Sequence, residues 1–459
     1  MTDRPPKSGI PTLSELGVIL RVALPLALGY MGSALISVTD SIMLGHLSPE
    51  VLSAAGLALS VYNIILLVGW GMVFPTLVLV SRVCGAKCPD PRIPSKIIRQ
   101  SLWVCGILFI PASIILWNIT PLLISTGQDP VLAQMAGQYM DYYLWAMFPM
   151  LARYGFALAL TAMHRTRVIA LVTWLEVGVN IILDYGLIFG KFGLPAMGIE
   201  GAGLASIIVY SIGHTALFFS IFDARRFLGS LMITDIWKPN RKILGQFFRI
   251  GWPKSLELLA THAIFSVFAL LAGWMGTLAV AAHTIALQTT ITVGYTLSWA
   301  VAEVVTVRVT AALTQKSHAG IWRALNGGIV VLFLFLLPVV AIFWFLPKWI
   351  VVLFVGSETL DAQVVLPLTS PLIVLVGFFV IADGLRAVNN HALNGLSDMK
   401  VPALIAVLAY WGLSLPLGAW LGFVMGLGVQ GFWVALTAGA AVAAIGYLRR
   451  LRRLVSAFC

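Results

Sequence analysis

Apolar residues run almost unbroken for twenty or so positions at a time from Leu16 to Tyr447. At ~1.5 Å of rise per residue, each such run is long enough to cross a hydrocarbon layer ~30 Å thick. Lipid offers no partner to a backbone N–H or C=O, so spanning segments are helices or a closed barrel. A barrel would alternate apolar and polar positions, and these runs do not. The pattern therefore predicts an all-α polytopic membrane protein of about twelve transmembrane helices. They are expected to begin near Leu16, Ser53, Ile97, Gln138, Val168, Ile199, Phe247, Leu278, Leu325, Pro367, Val401 and Val429.

Composition agrees with lipid as the solvent. Of 459 residues, 60% are hydrophobic and 10% charged, with a mean hydropathy of +0.97; a soluble domain carries about a quarter charged residues. The polar connections then orient the helices. Arg82, Lys87, Arg92, Lys96 and Arg99 cluster at the second connection, Arg225, Arg226, Lys238, Arg241 and Lys242 at the sixth, and Arg449, Arg450, Arg452 and Arg453 at the tail. The opposite connections around His46 to Glu50, Ser125 to Gln134 and Gly276 hold no Lys or Arg, and the others on that side show only Lys191 and Lys348. By the positive-inside rule both termini face the cytoplasm. The net charge of +11 is thus a topology signal and an attraction to anionic lipid headgroups, and it argues no nucleic-acid partner. The start MTDRPPKSGIP is polar, with no cleavable leader pattern, so it is expected to be retained. Four scattered Cys, with Cys84 and Cys88 framing a cytoplasmic loop, predict free thiols rather than a disulfide framework or a metal site.

The chain also repeats itself. RVALPLALG from Arg21 lies over RIGWPKSLE from Arg249, pairing Pro25 with Pro253, and LSAAGLAL at Leu52 lies over VAAHTIAL at Val280 with the same offset of 228. Further on, SRVCGA at Ser81 falls over VRVTAA at Val307, and GIEG at Gly198 over GVQG at Gly428. Two pseudo-symmetric six-helix lobes follow, residues 1–235 and 236–459, the stretch from Asp223 to Phe247 linking them. Six being even, the lobes keep one orientation in the membrane, and a central cleft between them is expected. Such an architecture suits alternating access better than a channel.

A charge at a helix centre is unfavourable by about 2.5–3.5 kcal/mol on insertion scales, so the few intramembrane ionisable residues are the candidate site. Asp40 lies 19 residues beyond Arg21, and Asp184 17 beyond Arg167, which puts both ~25–29 Å from the cytoplasmic end. Asn180 precedes Asp184 by one helical turn on the same face. The plainer reading is that the two acids cap helix ends. In the second half Asp383, Arg386, Asn390 and Asn394 step by three, four and four and draw one polar stripe. Glu257 and Glu303 are deep enough to join it. The structural alternative has Arg386 neutralising Asp383 and Lys254 neutralising Glu257 within their own helices. His262 and His283 read as hydrogen-bonded helix-contact residues.

VTDSIMLGHL at Val38, GWMGTLAVAAHTIALQ at Gly273, TVRV at Thr306 and DGLRAVNNHALNGLSDMKVPA at Asp383 resemble the multidrug and toxic compound extrusion (MATE) family, in its NorM-like branch, and the similarity extends over nearly the whole chain. The resemblance implies an antiporter in the bacterial inner membrane that exports drugs and other organic, mostly cationic, compounds against H+ or Na+ entry. It implies no cofactor, a monomer among membrane lipids, and no enzyme activity. Carried over by residue, Asp40 matches the acidic position of the first helix, Asn180 and Asp184 the fifth-helix pair of proton-linked relatives, and Asp383 the tenth-helix carboxylate of the cation site. Two positions depart. The seventh-helix glutamate of the family falls on Thr261, with Glu257 one turn earlier, and Arg386 replaces a neutral residue. These departures weaken Na+ coordination near Asp383 and favour a proton through Asp40 and Asp184, leaving Asp383 mainly as a substrate-facing charge, with Glu257, Thr261, Arg386, Asn390 and Glu303 as accessory or substrate-binding candidates. Tyr139, Tyr143 and Trp174 are candidate aromatic contacts for a cationic substrate.

Rival readings leave other marks. A lipid-linked or other metabolite flippase of the same superfamily would want a cleft rich in Arg and Lys. A major facilitator would carry a G-x-x-x-D-R motif where SRVCGAKCPDPR stands. An intramembrane enzyme would show H-E-x-x-H, G-x-S-x-G or a Gly-rich phosphate loop, and the sequence has none of these.

Overall fold

A computed structural model describes residues 10–86, 92–222, 238–355 and 360–457. Residues 1–9, Lys87, Cys88, Arg225, Arg226, the side chain of Arg92 and the 235/236 boundary lie outside the described residues. Among those described, twelve helices are long and apolar enough to span a membrane. They are α1 (Leu13–Leu47), α2 (Pro49–Cys84), α3 (Ile93–Trp117), α4 (Pro130–Ala162), α5 (Thr166–Phe189), α6 (Ile199–Ile221), α7 (Arg241–Gly273), α8 (Thr277–Thr314), α9 (His318–Phe345), α10 (Leu366–Gly395), α11 (Lys400–Val424) and α12 (Val429–Ala457).

Several helices begin one or two turns before the apolar run does, for a local reason. The Asp129 carboxylate accepts the backbone N–H groups of Val131 and Leu132 at 2.7 and 3.3 Å, so α4 starts at Pro130 instead of Gln138. Ser317 accepts from the Gly320 N–H at 3.1 Å and starts α9 at His318 instead of Leu325. Hydrophobicity marks the part of a helix immersed in hydrocarbon, whereas the cap marks where the helix begins. Two short helices the apolar pattern did not reveal, Ile119–Ser125 and Pro347–Val355, occupy connections.

The lipid-facing side is read from exposure. On α3 Trp103, Ile107, Ile110, Ile114 and Trp117 are all exposed and recur every three or four residues. That is a helix face directed at an apolar solvent. In lipid, helices associate through close packing and hydrogen bonds rather than the hydrophobic effect. α6 shows how: a side chain at Gly203 would come within 3.0 Å of the Tyr139 carbonyl oxygen, so glycine there lets α6 lie directly against α4.

Chain contacts divide the protein into two compact units, Leu28–Ser255 and Met1–Ala27 with Leu256–Cys459, the divisions falling inside α1 and α7. In the first unit α5 packs along α6, and α6 against α4. In the second α10 packs against α12 and α8. The second unit's largely aliphatic core includes aromatic pairs, with Phe268 stacked on Phe432 at 4.9 Å and Trp433 edge-on to Phe379 at 5.5 Å.

Candidate functional site

In the unit Leu28–Ser255, α5 turns Thr173, Glu176, Asn180 and Asp184 to one buried face. Their spacing of three, four and four places them in a single file. α1 brings Asp40 to the same place. The Asn180 side-chain amide donates to Asp40 Oδ1 at 2.9 Å and to Asp184 Oδ2 at 3.1 Å, so one NH2 group uses both hydrogens to tie the two acids together. The two carboxyl groups are also within hydrogen-bonding reach of each other. A bond between two carboxyls needs a proton on one of them. Asp184 Oδ1 and Asn180 Oδ1 accept no hydrogen bond from the protein. Asp40 stands seven residues before the end of α1 and Asp184 five before the end of α5, so neither occupies a capping position.

Tyr139 and Tyr143, one turn apart on α4, stack with ring centroids 4.8 Å apart, and Tyr62 of α2 meets Tyr143 edge-on at the same distance. Tyr139, Tyr143 and Tyr210 of α6 are close enough to feel the charge of Asp40. Trp174, by contrast, is half exposed on a different face of α5, away from this group.

In the other unit α10 carries Asp383, Arg386, Asn390 and Asn394, all buried. Arg386 Nε donates to Asp383 Oδ1 at 2.6 Å, and its Nη1 lies 3.4 Å from Glu257 Oε1 on α7. The within-helix pairing of Arg386 with Asp383 is therefore present, and Glu257 also reaches Arg386. Tyr410 of α11 donates to the same Asp383 oxygen at 3.2 Å, and its ring lies 6.0 Å from the guanidinium carbon. Asn394 donates to Asn390 Oδ1 at 2.8 Å. Asp383 Oδ2 accepts no hydrogen bond within the protein.

The remaining candidates are placed differently. The Thr261 hydroxyl bonds to the Glu257 and Leu258 carbonyls of its own helix at 2.9 and 3.1 Å. Glu303 is buried on α8. His262 bonds the Leu258 carbonyl through Nδ1 at 2.9 Å, and His283 Nε2 lies 3.3 Å from the Phe265 carbonyl oxygen of α7. Among the described residues no three His, Cys, Asp or Glu side chains are grouped to hold a metal.

Two groups escaped the sequence reading. Tyr410 had no signal in the pattern, because its contact with Asp383 spans 27 residues and depends on how α10 and α11 face each other. Arg153 and Glu176 did have one, as charges inside apolar runs. They form a buried pair in which Arg153 Nε and Nη2 reach the two Glu176 oxygens at 2.6 and 2.5 Å, while Nη2 also donates to Thr173 at 2.8 Å. Glu176 sits one turn below Asn180 on the same file.

Comparison with known proteins fits this architecture. The MatE family model matches the chain twice, over residues 25–186 and 253–420, starting at the two prolines paired by the internal repeat. A probable multidrug resistance protein NorM from Mesorhizobium japonicum is 30% identical over 445 residues, covering 96% of this chain and 94% of that one. The multidrug resistance protein NorM of Burkholderia vietnamiensis is 32% identical over 442 residues, covering 95% and 93%. Among solved structures, a multidrug resistance MATE family transporter of the MOP superfamily in an outward-facing conformation superposes with a TM-score of 0.85 at 23% identity, covering 96% of each chain. The eukaryotic MATE transporter AtDTX14 gives 0.84 at 21%, covering 97% and 99%. Two family-model matches over most of the chain, and full-length relatives at this identity, establish that the protein is a membrane transporter, not an enzyme, and that it belongs to the MatE family.

Proposed function

We propose that the chain is an antiporter that exports drugs and other organic, mostly cationic, compounds by alternating access, driven by proton entry through Asp40, Asn180 and Asp184. The observation that carries this reading is the Asn180 amide spanning both acids at 2.9 and 3.1 Å. Two carboxyls held this close in a poorly hydrated pocket resist double ionisation, so the pair holds one proton and releases it when the pocket meets the alkaline cytoplasm. An arriving organic cation favours the ionised pair and the aromatic faces of Tyr139 and Tyr143, so proton and substrate exclude each other. The relatives named for multidrug resistance support the substrate class. Bacterial relatives support an inner-membrane location. The alternation of basic connections supports cytoplasmic termini, which a reporter fused after Ala457 tests, and the internal repeat supports two six-helix lobes acting as a monomer.

The deciding experiment loads vesicles with ethidium and imposes H+ and Na+ gradients separately. The H+ gradient should drive transport in the wild type, and Asp40→Asn should lose gradient-driven transport while keeping ethidium binding. Wild-type transport by Asp40→Asn together with a dead Asp383→Asn would move coupling to the second unit. Unchanged resistance across a broad panel of cationic compounds, with the protein verified in the membrane, would favour a flippase.

A further inference from the structure

The geometry points to Arg386 as a built-in cation that occupies the Asp383–Glu257 acid pair and denies it to Na+. Arg386 is 4% exposed, and its guanidinium is held from four helices. Nε is bonded to Asp383 on its own helix, Nη1 reaches Glu257 of α7, the plane lies by the Tyr410 ring of α11, and Tyr447 of α12 is a hydrogen-bond partner. A side chain fastened from four directions does not swing away at little cost. The acids it links are the pair that a small cation would need. Asp383 Oδ1 is shared between Arg386 and Tyr410, which leaves Oδ2 as the one oxygen of that carboxylate taking no hydrogen bond from the protein. Na+ seeks several oxygen ligands with no competing positive charge beside them. Here a fixed positive charge already sits 2.6 Å from one acid and 3.4 Å from the other.

Arg386 is thus a specificity-determining residue: it selects against Na+ as the coupling ion. The inference rests on the transport reading only for its consequence, because Na+ binding is measurable without transport. Purified protein in detergent is titrated with radioactive Na+ against a choline background. Wild type and Asp383→Asn should bind equally little. Arg386→Gln keeps a polar side chain of similar reach, removes the charge, and should gain a saturable Na+ site at least tenfold tighter than any in the wild type, lost again on adding Asp383→Asn. Arg386→Lys should stay as silent as the wild type. Saturable wild-type Na+ binding that Asp383→Asn removes would overturn the inference, and this arm stands even if Arg386→Gln does not fold. A folded Arg386→Gln that gains no Na+ site would overturn it as well. Failure of the wild type to move ethidium under any gradient would instead count against the export reading, and the Na+ titration would keep its meaning.

Discussion

The two polar clusters are built alike and differ in one atom group. Each joins two acids from two helices through one nitrogen-bearing side chain: Asn180 between Asp40 and Asp184, Arg386 between Asp383 and Glu257. An amide is neutral, so the first pair cannot shed both protons without leaving two facing charges in a dry pocket. A guanidinium is permanently charged, so Arg386 places a fixed positive charge between the acids of the second pair. In the export mechanism proposed above, the first cluster carries the exchanged proton, while the second is an ion pair.

The comparison can be broken most sharply at the acids of the first pair. Asp40→Asn and Asp184→Asn should each abolish gradient-driven export in vesicles, because an amide imitates the protonated state and cannot cycle. Equal activity of either variant with the wild type would dissolve the distinction between the clusters. Next in size is Arg386→Met, which strands two buried carboxylates and should lower stability by ~3–5 kcal/mol, read as a fall in the thermal midpoint in detergent. Adding Asp383→Asn and Glu257→Gln to it should recover most of that loss; no recovery would mean that Arg386 acts through packing instead of charge. Asn180→Leu should be milder, about 1–3 kcal/mol for the unsatisfied acids, with slowed but proton-driven export. Smallest of all, Thr261→Ala should cost under ~1 kcal/mol and leave coupling intact, since its hydroxyl serves only its own helix and the neighbouring His262 ring.

How far the sequence could be read depends on the range over which each feature is determined. The helices were legible because hydrophobic length is local, and their starts were missed by a turn or two where Asp129 or Ser317 extends the helix into polar surroundings. The file Asn180–Asp184 was legible from its i,i+4 spacing, and Asp40 from its depth. Arg386 with Asp383 was likewise an i,i+3 pair visible on one helix. The reach of Arg386 to Glu257, 129 residues away, and of Tyr410 to Asp383 depends on the rotation of neighbouring helices, which no single-helix periodicity encodes. Arg153 and Glu176 could have been noticed as intramembrane charges, but only the fold shows that they neutralise each other. Thr261 was legible as a departure from the family pattern, where a glutamate stands; that its hydroxyl bonds the Glu257 and Leu258 carbonyls of its own helix needed the structure.

Under the proton-driven export proposed above, the tyrosine group beside Asp40 bears on a problem that any proton-coupled carrier faces, which is leakage. A carboxyl pair connected to both aqueous phases by a continuous water file would be a wire, dissipating the gradient whether or not cargo moved. Tyr139 and Tyr143 stacked face to face, with Tyr62 closing against the second ring, fill the flank of the pair with carbon. Water has little room to thread between rings at 4.8 Å. Replacing Tyr143 by alanine would open that flank, and the cost would appear in vesicles without any drug, as a faster collapse of the imposed pH difference.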